Sequence, residues 1–393
     1  MHRDWAFTAW LNRIAAPNAP NGAPTRALSE SQVTLRSDLV ASHEGDLVMD
    51  DVTAKARPPR PQELRSSLLQ FVLDRPALTI AIVISAITFV GLITVAIVAG
   101  TLANDFSVYW RTANEMPGSA YLPRTELPFP YAPTMMIWIA PLSVIGLWPA
   151  FAIFVAASIA ALFLACWRHL TPAEFALLLF SPPLINGLAT GQVSAVLAAL
   201  LLWAVTTDRR IAAGMAFAVV ASIKPQIVLL APLMLLLNRD WRALVSSALC
   251  FLFLIVASIA LFGWQRWPEW IGSMANFRSV LHAEDILPSA ATPASAAEGY
   301  GFAPLPFLIG GIIIGIWLIF RCRDSAALAK CAAIACASLL AAPYALTYDL
   351  APIMPMLVAL TFRGSIASAI AFSGALHPIP LLLAAFSLNK AAK

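Results

Sequence analysis

Leu78–Trp110 reads LTIAIVISAITFVGLITVAIVAGTLANDFSVYW. The part from Leu78 to Ala103 is an unbroken apolar run, long enough to cross a bilayer, which takes about 20 residues of helix. It ends at Asn104-Asp105, and the aromatic residues Phe106, Tyr109 and Trp110 follow at once. A carboxylate placed immediately outside a span is a poor anchor. It suits chemistry at a membrane surface.

The whole chain agrees with this stretch. Its 393 residues are 60% hydrophobic and 12% charged, against roughly 45–50% and about 25% for soluble domains. The expected class is an all-α polytopic membrane protein. The net charge of +4 comes from Lys and Arg scattered over the tail and short loops, which gives no case for nucleic acid. Cys166, Cys250, Cys322, Cys331 and Cys336 lie in or beside apolar runs, with no CxxC and no His at zinc spacing. They read as small core residues, and neither a metal nor a cofactor is expected.

Residues 1–77 are rich in Pro, Ala, Ser and Arg, with acids and bases balanced. No basic segment precedes a short apolar one, so this is not a signal peptide. A disordered cytosolic tail over 1–77 and a membrane domain over 78–393 are expected. Arg57, Arg60, Arg65 and Arg75 precede the first span and keep that end in the cytoplasm. Asn104 to Pro130 is then outside.

Pro141 and Trp148-Pro149 divide the apolar sequence Tyr131–Trp167 into a surface helix and a span from Ala150 to Cys166. Two hairpins follow. The first has arms Ala173–Leu188 and Val193–Val205, broken at Ser181-Pro182-Pro183, Asn186-Gly187 and Gly191-Gln192. The second has arms Ile211–Ile223 and Ile227–Leu237 around Lys224-Pro225-Gln226. Every arm is shorter than a span, so short re-entrant hairpins are expected, whose broken backbone must lie in a protein interior or a wet cavity. Spans at Ala243–Phe262, Phe302–Phe320, Ser325–Ala342 and Leu350–Phe362 and a last apolar stretch, Ser365–Leu388, complete roughly ten or eleven membrane segments. Gly263–Gly301 reads as an outside loop, net acidic, with Trp264, Trp267 and Trp270 as an interfacial belt.

Polar groups in or beside membrane segments are costly and are functional candidates by default. Asp105 reads either as a general base or as the cap of a surface helix Phe106–Glu115. Arg111 reads as a phosphate ligand or as the partner of Glu115 at i, i+4. Tyr109 and Tyr131, the latter in the rigid run Pro128-Phe129-Pro130-Tyr131-Ala132-Pro133, suit sugar stacking or a membrane interface. Lys224, at a hairpin tip before a Pro, meets either a phosphate or an acid such as Asp349. Gln192 and Asn186 bind ligand or satisfy broken backbone. Tyr348-Asp349 occupies a short outside turn, where Asp349 binds an acceptor hydroxyl, pairs with Lys224 or caps the next helix.

In this order, Asp105-Phe-Ser-Val-Tyr-Trp110, Pro128–Pro133, Gly191-Gln192 and Ile223-Lys224-Pro225 resemble glycosyltransferase family 87, integral membrane enzymes of the GT-C superfamily. The resemblance covers about residues 78–362 and implies a GT-C-like bundle. It implies transfer of a hexose, typically mannose, from a polyprenyl-phosphate donor to a lipid- or glycan-linked acceptor hydroxyl outside the cytoplasmic membrane, commonly with inversion. The family's acidic residue after the first span matches Asp105, and its Lys-Pro motif matches Lys224-Pro225. Tyr348-Asp349 stands where family members often carry a polar signature, sometimes with His; no His is present here. The implied partners are donor, acceptor and membrane lipid. The competing reading is a transporter or flippase of a lipid-linked saccharide, since short broken helices and a buried Lys suit transporters too. Against it stand the lack of an internal repeat and the clustering of the distinctive residues on outside loops.

Overall fold

The computed structural model describes residues 70, 72–98, 100–115, 121, 129–283, 286–374 and 378–392, all within the unit Arg60–Lys393. The tail expected over 1–77 lies almost wholly outside the described residues. Among the described residues every regular element is helical.

Four helices among the described residues are long and apolar enough to span a membrane: α1 (Pro76–Val98), α4 (Leu147–Cys166), α10 (Trp241–Phe262) and α13 (Pro304–Cys322). At 1.5 Å per residue, 23 residues of α1 reach about 34 Å, more than the roughly 30 Å of hydrocarbon. Most residues of these four are not covered by protein, which suits helices that face lipid. The protein is a multi-pass membrane protein.

A fifth span is α5 (Pro172–Leu179) with α6 (Pro182–Thr190), if the pair counts as one; it bends by 57°. The bend falls at Phe180-Ser181, where Pro182 and Pro183 deny the backbone two amide donors. A reciprocal capping box between Thr171 and Glu174 starts α5. Asn186-Gly187, read from the sequence as a break, is helical within α6; the stop comes at Gly191, whose left-handed φ of 80° suits glycine.

The remaining apolar helices are short and form the inside of the bundle: α3 (Pro133–Ile139), α7 (Ser194–Thr206), α8 (Arg210–Ile223), α14 (Ala327–Leu340) and α15 (Met354–Phe362), the last continuing a 3-10 helix, Thr347–Ile353. Helices α14 and α15 are buried along nearly their whole length. Small residues allow this. A Cβ on Gly311 or Gly315 of α13 would stand 1.9 Å from the Leu340 carbonyl oxygen or 2.6 Å from that of Ala337. Hydrocarbon supplies no hydrophobic drive between helices, so such close approach is what holds them. The second hairpin holds α8, a 3-10 turn Pro225–Ile227 and α9 (Ala231–Leu237).

Residues 263–301, read as a loop, hold an 18-residue helix, α11 (Arg266–Ala283), and a short one, α12 (Pro293–Gly299). Pro268, Gly272 and the charges hid α11 from a hydropathy reading. The C-terminal apolar stretch is α16 (Ile366–Phe372) and α17 (Ile379–Ala391).

Candidate active site

One short helix, α2 (Asn104–Glu115), follows α1. Asp105 is its second residue, so it lies inside the first turn rather than capping a helix that starts at Phe106. The Ala103 amide donates to the Ala189 carbonyl at 2.9 Å, which ties the start of α2 to the end of α6. Phe106 packs so tightly on Gly191 that a Cβ there would meet the Phe106 Cβ at 2.4 Å. The turn at Gly191, closed by Gln192 N–H to the Gly187 carbonyl at 2.7 Å, swings Gln192 inward beside Asp105.

Gln192 is buried, and donors converge on its side-chain oxygen. Tyr109 and Tyr131 hydroxyls each lie 3.0 Å from Oε1 and 2.7 Å from one another. The Lys224 ammonium donates to the same oxygen at 3.0 Å. Lys224 closes α8 just before Pro225, where the helix must end, and its side chain is buried. Its second bond goes to Asp349 Oδ1 at 2.6 Å. The Tyr348 ring centroid lies 4.5 Å from Nζ and that of Tyr131 5.8 Å, within range of cation–π attraction.

Asp349 sits in the first turn of the 3-10 helix, where its Oδ2 accepts the Leu346 amide at 3.1 Å. It therefore both pairs with Lys224 and caps, two of the readings the sequence left open. Ser194 faces Oδ1 at 3.5 Å. The polar side chains of Thr190 and Gln192 stand near Asp105. Burial raises its pKa above the ordinary carboxylate value, while those two side chains and the Lys224 charge act the other way.

These groups line one cavity of about 510 Å³, a size typical of sites for small ligands. Asp105, Tyr109, Tyr131, Gln192, Lys224, Tyr348 and Asp349 all face it. Arg111 does not; its Nε donates to the Ser107 carbonyl at 3.4 Å on α2 itself. The opposite wall is apolar and was missed from the sequence. Trp270, Met274, Phe277 and Leu281 supply it from α11. Their i, i+4, i+7, i+11 spacing marks one face of a helix. Trp270, expected in an interfacial belt, is fixed here by its indole N–H to the Pro130 carbonyl at 3.2 Å.

The model of glycosyltransferase family 87 matches residues 129–343. The chain belongs to glycosyltransferase family 87. It is a membrane glycosyltransferase, and the match takes in Tyr131, Gln192, Lys224 and the α11 wall. Asp105 and Tyr109 stand before the matched segment, and Tyr348 and Asp349 after it. No curated protein and no solved structure matches the chain. The transporter reading gives way to the family. Among the described residues no cluster of His, Cys, Asp and Glu is arranged to hold a metal ion.

Proposed function

We propose that this glycosyltransferase moves a hexose, mannose in the first instance, from a polyprenyl-phosphate donor to a hydroxyl of a lipid- or glycan-linked acceptor on the outer side of the cytoplasmic membrane. One observation carries the reading: a carboxylate and an ammonium face the same cavity, and its other wall is an apolar helix face.

Asp105 is the general base. The acceptor oxygen attacks the anomeric carbon and loses its proton to Asp105, while the bond from that carbon to the phosphate oxygen breaks. Such help is worth typically about 10²–10⁴-fold. The phosphodiester leaves as a polyprenyl phosphate monoester, already a stable anion, so no general acid is required. It needs positive charge aimed at the breaking bond. Lys224 supplies it: Asp349 and Gln192 take two of its N–H groups, and the third is left for a phosphate oxygen. The tyrosine hydroxyls and the Tyr348 ring hold the sugar side, and the apolar face of α11 suits the first isoprene units. Arg111 would reach the phosphate only by leaving Ser107, so its proposed role is secondary.

The test is transfer of radiolabelled mannose from a polyprenyl-phosphate donor to a membrane-extract acceptor by purified protein in lipid. Wild type should transfer, and Asp105→Asn should fall by about 10²-fold or more. Equal transfer by both would remove Asp105 from the mechanism.

A further inference from the structure

We infer that Tyr109 and Tyr131 present only hydrogen-bond acceptors to the cavity, so that this end of the site selects a sugar by a free hydroxyl that donates to them. The inference rests on the proposed reading of the cavity as the site of a polyprenyl-phosphate sugar. Three oxygens form a triangle: the two tyrosine hydroxyls lie 2.7 Å apart, and each lies 3.0 Å from Gln192 Oε1. The hydroxyls bring one proton each, so one edge of the triangle has none. Lys224 also donates to the amide, at 3.0 Å. An ammonium has no lone pair, so the atom that faces it is the amide oxygen and not the NH₂. That oxygen has two lone pairs. Lys224 takes one and a single tyrosine takes the other. The second tyrosine proton then lies between the two hydroxyls, whose 2.7 Å separation is the ordinary one for O–H···O. Without a proton there, two oxygens would face each other lone pair to lone pair. Whichever tyrosine comes first in this chain, both protons are spent inside the cluster.

The hydroxyls are held where they are. The Tyr131 carbonyl accepts from the Tyr121 hydroxyl at 2.8 Å. The Tyr131 ring meets that of Tyr109 edge-on at 5.4 Å and packs on Phe129 at the same distance, while Tyr109 packs on Phe106. Both residues line the cavity, yet Tyr109 is 1% and Tyr131 8% exposed, so neither ring swings away to free its proton. The polar cluster is therefore polarised. Its Lys224 end offers N–H, and its tyrosine end offers lone pairs. A phosphate oxygen or a carbonyl finds no donor at the tyrosine end, whereas a sugar hydroxyl finds an acceptor. The donor thus fits one way round, with phosphate toward Lys224 and a hydroxyl of the sugar toward the tyrosines. The class recognised is a hexose whose hydroxyl at that place is present and unsubstituted.

The test reads donor binding by calorimetric titration, with the full chain in phospholipid nanodiscs and no acceptor present. The probes are polyprenyl-phosphate mannose, analogues that each lack one sugar hydroxyl, and the matching analogues with fluorine in its place. Fluorine keeps the polarity and can accept, but it cannot donate. In wild type one deoxy analogue and its fluoro counterpart should both bind about tenfold more weakly than the parent, the cost of one neutral hydrogen bond. The gap should close in Tyr109→Phe/Tyr131→Phe, which removes both acceptors and leaves Gln192 Oε1 to Lys224. Each single variant is run beside the double, and at least one should narrow the gap, so a double variant that fails to fold leaves the result readable. A fluoro analogue that binds as well as the parent would make the pair a donor and overturn the inference. So would a gap that persists in the variants, or no gap in wild type. Polyprenyl-phosphate glucose and galactose are titrated alongside. Tighter binding of one of these, with the same deoxy pattern, would sink mannose and retain the inference. No sugar bound more tightly than bare polyprenyl phosphate would sink both.

Discussion

Asp349→Asn removes the charge opposite Lys224 while keeping a side-chain oxygen for the Leu346 amide. The two ions lie 2.6 Å apart with side chains 4% and 2% exposed. At an effective dielectric constant of about 20 their attraction at that distance is about 6 kcal/mol. Desolvation opposes it at several kcal/mol per ion, so the intact pair contributes little net stability; the large effect comes from breaking it. Asp349→Asn leaves a buried ammonium with Gln192 Oε1 at 3.0 Å and the Tyr348 ring at 4.5 Å, and should cost about 3–5 kcal/mol. Lys224→Met leaves the carboxylate unpaired and should cost a similar amount. The double variant removes both charges of the pair and should lie within about 1 kcal/mol of wild type. Mannose transfer should be lost in both variants that lack Lys224, including the stable double. The assay is unfolding in a lipid-matched detergent by tryptophan fluorescence at one fixed scan rate, because midpoints of such proteins depend on rate. An Asp349→Asn protein as stable as wild type, or a double variant weaker than either single, would refute the reasoning.

Asp105 must be ionised to accept a proton, and burial raises its pKa above 3.8. Transfer should accordingly fall as pH drops through a midpoint above that value, and a stopped assay over an acidic pH series should show that limb vanish in Asp105→Asn. Gly191→Ala forces an alanine into a left-handed conformation, at about 1–2 kcal/mol, and drives its Cβ to 2.4 Å from Phe106. It should reduce kcat more than stability, since the push falls on the helix that carries Asp105; activity and unfolding measured side by side decide. Gly311→Val places a side chain 1.9 Å from the Leu340 carbonyl oxygen, backbone that cannot yield, and should destabilise by about 3 kcal/mol. Arg278 binds Glu298 at 2.6 Å and pins α11 to α12, though its side chain is 60% exposed. Arg278→Ala should change stability by less than about 1 kcal/mol while raising the donor KM, read from initial rates.

The long spans were legible because length and apolar content are properties of the chain alone. The short arms around Gly191 and Lys224-Pro225 were legible for the same kind of reason: glycine and proline stop a helix wherever it lies. Asn186-Gly187 carries the same local signal and is helical nonetheless, because α6 packs on α1 and the 3-10 helix Thr347–Ile353 and that packing overrides propensity. Asp105, Gln192, Lys224 and Asp349 stood out because a polar residue in so apolar a chain needs a reason. What each one touches was beyond sequence reasoning. Lys224 and Asp349 are 125 residues apart and Tyr109 and Gln192 83 apart, and only the fold of several helices brings them together. Arg111 gave the same signal as Lys224, yet α2 carries it away from the cavity that its neighbours Asp105 and Tyr109 line.

The charges in the cavity argue for a division of labour. Two carboxylates and one ammonium share it before any substrate arrives, and the proposed donor brings a further negative charge. Lys224 alone cannot offset all three, so the carboxylates cannot act alike. Asp349 is bound to Lys224, Ser194 and the Leu346 amide. With those three donors on its oxygens, its proposed role is to hold the ammonium in place. Among the described residues no cation pairs directly with Asp105, which faces the cavity. Burial raises the proton affinity of Asp105 and leaves it facing the cavity, which is what the proposed base needs. In the proposed mechanism a donor that enters between them meets Lys224 on the phosphate side and Asp105 on the acceptor side. That arrangement separates leaving-group stabilisation from proton removal. Loss of Asp349 should therefore be felt first in donor binding and loss of Asp105 first in the chemical step, a split that donor binding and single-turnover rates measured on the same variants would read directly.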